Sequence, residues 1–197
     1  MSFVAFEGGE ACGKSTQAAR LAARRGALLT REPGGTVLGE RIRSLFLDPA
    51  TGDVDGRAEA LLVAAARAQH VSSVIAPALA RGEDVVTDRF TGSSLAYQGF
   101  GRGLPVESVR ALSTFATDGL VPDLTVLLRV DAAVAARRLG DDRDRLESAG
   151  DDFHERVARG YDALASTEPG WVVVDGGGTV EEVEAAVWAA VSGRLGW

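Results

Sequence analysis

Short apolar runs rich in Val, Leu and Phe recur along the chain at residues 3–6, 27–30, 84–87, 124–130 and 171–174. Each is of strand length, and the stretches between them carry apolar residues at helical spacing. Residues 57–81 place Leu61, Leu62, Ala65, Ala68 and Val71 on one helical face, and Val180, Val183, Val187 and Val191 repeat the pattern near the C-terminus. Strands alternating with helices predict an α/β fold with a parallel sheet covered on both faces. Local punctuation agrees with these boundaries. Thr179 and Glu182 make a capping-box pattern just after Asp175-Gly176-Gly177-Gly178, so the glycine run reads as a strand-to-helix turn rather than a linker. Pro105 suits the first turn of a helix ending near Asp118, and Pro122 precedes the fourth strand. No repeat or long linker divides the chain, and its 197 residues predict one domain spanning residues 1–197.

Charge narrows the classes of partner. There are 28 acidic and 21 basic residues, a net charge of −7, the wrong sign for a nucleic-acid coat or a polybasic membrane anchor. Residues 1–50 nevertheless carry seven basic groups against five acidic, while residues 151–197 carry three against nine. An anionic ligand is therefore expected near the N-terminal end. Cys12 is the one cysteine, which excludes an intrachain disulfide and suits a reducing cytosol. No apolar run reaches the roughly 18 residues of a membrane span, and the N-terminus lacks the basic region of a signal peptide. A cytoplasmic protein is expected.

The strongest chemical signal is Gly8-Gly9-Glu10-Ala11-Cys12-Gly13-Lys14-Ser15-Thr16, which follows an apolar strand and opens a helical segment. That context turns the G-x-x-x-x-G-K-[ST] pattern into a phosphate-binding P-loop. Gly8 and Gly13 let successive backbone N–H groups turn inward around phosphate oxygens at a helix N-terminus. Lys14, the only lysine in the chain, adds a point charge at the β and γ phosphates, and the Ser15 hydroxyl is a candidate Mg²⁺ ligand. Such a loop implies a nucleoside triphosphate but not a reaction. No N-K-x-D segment is present to read guanine, which counts against a GTPase.

Two further clusters offer an acceptor site. Thr30-Arg31-Glu32-Pro33-Gly34-Gly35-Thr36, followed by Glu40 and Arg43, ends one strand; turn punctuation alone is the alternative reading. Asp88 and Arg89 fall at the carboxyl end of another, where open parallel sheets bind ligands. If the chain is helical from Ser93, then Ser93 and Tyr97 share one face and Ser94 and Gln98 another. That polar helix entrance suits a ring with hydrogen-bonding edges, and a solvated helix face is the alternative.

With these residues in view, the chain resembles the bacterial thymidylate kinases along essentially its whole length. The FEG-start P-loop, the TREPGGT stretch, the AAARAQ segment (residues 64–69), DRF with SSLAYQG, GRG (101–103) and VPDLT (121–125) all take part. The resemblance implies a P-loop nucleoside monophosphate kinase fold with five parallel strands, flanking helices and a short lid at about 138–147. It implies a homodimer, with ATP and dTMP as substrates and Mg²⁺ accompanying ATP. It puts Glu10 near the acceptor's 3′-hydroxyl, and Arg43 and Arg89 on its 5′-phosphate. Arg67 would face the thymine carbonyl, Ser94 and Gln98 would orient base and phosphate, and Tyr97 would exclude a 2′-hydroxyl; Ser93, on the face of Tyr97, is a further candidate substrate-binding residue. Asp88 would support the metal through its water shell, beside Ser15. A kinase for another monophosphate, or a nucleotide-binding relative without turnover, are the rival readings.

Three positions depart from the family pattern. Val63 stands where a phenylalanine usually stacks on thymine, and Arg129 stands where the fourth strand usually ends in Leu-Asp-Val; a snorkelling side chain or a pairing with Asp131, rather than a catalytic role, is expected for it. The lid is short and mixed in sign, with Arg143 and Arg138 as candidates to reach the transferred phosphoryl group and Arg145 as a structural residue. His70 and His154 are not spaced like metal ligands and are expected at or near the surface. Trp171, Trp188 and Trp197 read as packing residues.

Overall fold

The computed structural model describes residues 1–140 and 144–197. Its strands lie on the apolar runs: β1 (Phe3–Glu7), β2 (Leu28–Arg31), β3 (Val85–Asp88), β4 (Leu124–Arg129) and β5 (Trp171–Asp175). All pair in parallel, in the order β2-β3-β1-β4-β5. The helices are α1 (Lys14–Arg25), α2 (Val37–Leu47), α3 (Gly56–His70), α4 (Ala76–Ala80), α5 (Thr91–Ser94), α6 (Val106–Thr117), α7 (Ala132–Arg138), α8 (Asp151–Thr167) and α9 (Val180–Leu195). Every residue of β1 is buried, as a central parallel strand requires, whereas edge strand β2 alternates.

Side chains of the central strands divide between the two faces with period two. Val4 and Phe6 join Leu124, Val126 and Leu128 in a core closed by Leu21 of α1 and by Val183, Val187 and Val191 of α9. Phe3 and Ala5 point the other way, against Val71, Ile75 and Phe90. A third cluster joins Leu127 to Val63, Tyr97, Phe153, Val157 and Tyr161 beneath α8. Because β1 lies between β3 and β4, the chain reverses direction of growth at its carboxyl end, where such sheets open a ligand crevice.

The structure corrects four sequence expectations. Residues 57–81 are not one helix: α3 passes into a π-helical turn at Val71–Ile75 before α4, close to Pro77, which lacks the N–H an uninterrupted helix needs. The face of α3 turned inward carries Ala60, Val63, Ala64, Arg67 and His70, while Leu61 is 59% exposed. His70 is wholly buried because Glu32 and Thr30 take up both of its ring nitrogens. Arg129 pairs with Asp162 of α8 rather than with Asp131, and this exposed pair is worth little to stability. Trp197 packs as expected, donating to Ser2 Oγ at 3.2 Å and lying under Arg25.

Candidate active site

At the end of β1 the chain must turn sharply beneath β4. A side chain at Gly8, which has φ +145°, would bring its Cβ within 2.5 Å of the Leu128 carbonyl oxygen. Gly13, in the left-handed region at φ +92°, ends the loop and starts α1 without a side-chain cap. The first N–H groups of α1 therefore point out of the helix free of side-chain partners, an arrangement that favours an anion. Lys14, Ser15 and Thr16 line the resulting cavity with Glu10, Ala11 and Gly13. Lys14 Nζ donates to the Gly9 carbonyl oxygen, which holds its charge over the loop. Cys12 points away into the core, its sulfur buried against Gly8.

Ser15 and Asp88 meet across this cavity, the serine hydroxyl donating to Asp88 Oδ2. Asp88 Oδ1 is buried and has no hydrogen-bond partner among the described residues. A hydroxyl and a carboxylate with a spare oxygen are hard donors, and this set fits Mg²⁺ held jointly with substrate phosphates and water. Among the described residues no group of three His, Cys, Asp or Glu converges as a self-sufficient metal site.

Arg89 stands at the junction of two cavities, and both are lined by Glu10, Glu32, Arg43 and Arg89. Its Nη2 donates to Glu10 Oε1 at 2.7 Å and to the Tyr97 hydroxyl at 3.2 Å; its Nη1 reaches Gly8 O, Ser93 Oγ and Tyr161 Oη. Burial by itself disfavours this cation, but Glu10 and the neighbouring tyrosines outweigh burial and hold its pKa above the ordinary value. Burial also raises the Glu10 carboxyl, yet Arg89, Lys14 and the Tyr97 hydroxyl reverse that and bring it down to about 2. Tyr97 and Tyr161 are pushed well above the usual phenol range, first by burial, so both remain O–H donors at neutral pH. The i, i+4 pairing of Ser93 with Tyr97 survives although a π-helical turn follows α5, since both hydroxyls meet Arg89. Arg43 extends the cationic wall and donates to the Pro33 carbonyl oxygen.

Beyond Arg89 the second cavity becomes more apolar, with Val63, Phe46 and Leu146 facing Arg67, Ser94 and Gln98. Arg67 is fixed from three sides, by Glu32 Oε2 at 2.7 Å, the Phe90 carbonyl oxygen at 3.0 Å and Ser113 Oγ at 3.4 Å. Glu32 in turn meets His70 Nδ1, so the buried carboxylate serves both α3 side chains. Ser94 Oγ is buried without a partner among the described residues, an orphan hydroxyl beside the cavity. Gln98 approaches Glu59, a fully buried carboxylate that also receives Arg102 and Arg145.

The arginines of segment 138–147 separate by role. Arg138 lines the loop cavity and donates to the carbonyl oxygens of Gly176 and Gly178 after β5. Arg145 is tied to Phe46 O and Glu59, in keeping with its structural reading. Arg143 lies outside the described residues. Sequence reasoning did not single out Glu7 and Tyr161, which meet beneath Arg89, nor Glu59. A carboxylate ending an otherwise apolar strand was the available sign of Glu7, whereas Tyr161 sits in an apolar stripe with Phe153, Val157 and Leu164 and reads as packing.

A five-stranded parallel sheet with a P-loop at its switch point and a second, arginine-walled cavity beside it defines a P-loop protein of the nucleoside monophosphate kinase fold. The family model described as Thymidylate kinase matches residues 6–187. Proteins named thymidylate kinase are 49% identical in Desulforudis audaxviator (98% of this chain, 91% of that protein), 50% in Bifidobacterium longum (98% and 96%) and 48% in Deinococcus radiodurans (98% and 97%). The chain belongs to the thymidylate kinase family.

Proposed function

We propose that this chain transfers the γ-phosphoryl group of ATP to the 5′-phosphate of dTMP, forming dTDP and ADP. The observation that carries the reading is the pair of adjoining cavities sharing Glu10, Arg43 and Arg89, which sets a donor phosphate chain against an acceptor phosphate. An acceptor phosphate oxygen attacks the γ phosphorus as the bond to the β-bridging oxygen breaks. The attacking oxygen is already anionic near pH 7, so the chain needs no general base. Positioning and charge stabilisation then carry the rate.

In this reading Gly8 to Thr16 hold the triphosphate through backbone N–H groups, and Lys14 neutralises its β and γ oxygens. Ser15 and Asp88 would hold Mg²⁺, and the ion would supply charge screening between the phosphates. Arg43 and Arg89 grip the acceptor phosphate with the planar forked donors that a phosphate dianion matches. Glu10 accepts from the 3′-hydroxyl, Tyr97 crowds the 2′ carbon, and Val63 packs on the base while Arg67, Ser93, Ser94 and Gln98 orient it. Segment 138–147 acts as lid of a single domain, with Arg138 on the donor side. Leu45 on α2, Leu61 on α3 and Phe115 on α6, the last 85% exposed, are apolar side chains on neighbouring helices, and they support a homodimer. Among the described residues no helix is long and apolar enough to cross a membrane, and with a single buried cysteine the proposed location is the cytoplasm.

The test is ADP release from MgATP with dTMP, dUMP, UMP, CMP, AMP and GMP in parallel. Strong preference for dTMP is expected. Preference for another acceptor would move the substrate, and ATP binding with no release across the panel would overturn the kinase reading.

A further inference from the structure

Arg89 is a non-glycine residue at φ +70°, a conformation that persists only where neighbours over-determine it. Those neighbours converge on one buried carboxylate. Glu7, with no exposed surface, accepts from the backbone N–H groups of Phe90 and Ser93 at 3.0 Å each, from Ser93 Oγ at 2.6 Å and from Tyr161 Oη at 3.1 Å. The first two bonds pin the backbone directly after Arg89. Ser93 Oγ and Tyr161 Oη also lie 2.9 Å from each other, so the two hydroxyls and the carboxylate form one network, and both hydroxyl oxygens accept from Arg89 Nη1, at 3.1 Å and 3.2 Å. The turn leaves room for this carboxylate, since a Cβ on Gly92 would lie 2.8 Å from Glu7 Oε1. A carboxylate this deep is costly and a poor choice for packing alone; burial drives its pKa up, against the pull of Ser93 and Arg89.

We infer that Glu7 and Tyr161 are positioning residues of the acceptor site. They lock the backbone and the Nη1 edge of Arg89 from below, and this leaves the Nη2 edge, beside Glu10 and Tyr97, in the orientation that receives the acceptor phosphate. Tyr161 also ties α8, the helix following segment 138–147, to the acceptor site through Arg89 and Ser93. The inference rests on the reading of Arg89 as a phosphate ligand.

The test compares wild type with Tyr161→Phe, Glu7→Gln and Glu7→Ala, titrating dTMP and MgATP separately by calorimetry and measuring KM and kcat for each. Tyr161→Phe keeps the ring and removes the hydroxyl that joins Glu7 to Arg89, so dTMP binding is expected to weaken about tenfold, with MgATP binding within about twofold of wild type. Glu7→Gln keeps an acceptor for both backbone N–H groups and is expected to hold dTMP more tightly than Glu7→Ala does. A merely structural role lowers the melting temperature of the variants but leaves KM of the folded enzyme unmoved. Unchanged dTMP binding in Tyr161→Phe therefore overturns the inference even where Glu7→Ala does not fold. A wild type that prefers another monophosphate overturns the dTMP reading instead; the same comparison is then run with that acceptor, and variants equal to wild type there overturn the positioning role.

Discussion

Lys14 is the only lysine of the chain, and its ammonium group lies against the Gly9 carbonyl oxygen at the rim of the phosphate loop. Lys14→Ala is expected to lower kcat about a hundredfold or more, the scale of losing one preorganised charge partner, with an unchanged circular dichroism spectrum; normal turnover would sink the loop's assigned role. Glu10 titrates with consequences for stability. Its carboxyl lies at about 2 in the folded chain against 4.5 ordinarily, so its pairing stabilises fully above pH 4.5 and is lost as pH falls toward 2. The stability gap between wild type and Glu10→Gln, read from urea melts, is therefore expected to shrink across that window; a constant gap would count against the Arg89 pairing. Val63 lines the acceptor cavity without an aromatic face. Val63→Phe is expected to tighten dTMP binding about three- to tenfold, the worth of an aromatic pair, and calorimetry showing equal or weaker binding would move the base elsewhere. The loop residues were legible because their chemistry is contiguous in sequence. Glu7 and Tyr161 lie on different elements, and only folding brings them to one guanidinium.

Helices divide into those whose ends the sequence announces and those that tertiary packing alters. Thr179 and Glu182 exchange both capping-box bonds at the start of α9, at 3.3 and 2.9 Å, as the spacing predicts. Thr179→Ala is expected to cost about 1 kcal/mol in chemical denaturation while leaving the KM for dTMP unchanged, since α9 packs on the face of the sheet away from the acceptor cavity. The sequence reading of α3 selected the wrong face. Leu61, Leu62, Ala65, Ala68 and Val71 carry the apolar spacing, yet the inward face holds Glu59, Arg67 and His70, all buried. Hydrophobic periodicity assigns polar and charged groups to solvent, and here each of them is matched by a partner: Arg67 and His70 by Glu32, and Glu59 by Arg102 and Arg145. Breaking such a buried pair from one side costs roughly 3–5 kcal/mol because the remaining charge is left uncompensated, so these groups are tolerated inside only with their partners.

At the scale of the molecule, the displaced apolar face of α3 becomes a surface. Leu61 joins Phe115 and Leu45 on the exposed side of neighbouring helices, and a second copy of the chain is the proposed cover. Light scattering is expected to give twice the mass of 20.5 kDa, and Phe115→Asp is expected to shift the chain toward monomer. A wild-type monomer at micromolar concentration would remove the dimer from the reading. The strand positions, the order of elements and the phosphate loop are legible along the chain, because these follow from local periodicity, turn chemistry and one contiguous motif. The tertiary structure decided which face of α3 is buried, that Arg129 turns to Asp162, and that Glu7, Tyr161 and Arg89 meet. Those outcomes depend on pairing charges and hydroxyls from segments far apart in the chain, and burial strengthens such pairs only once the sheet has brought them together.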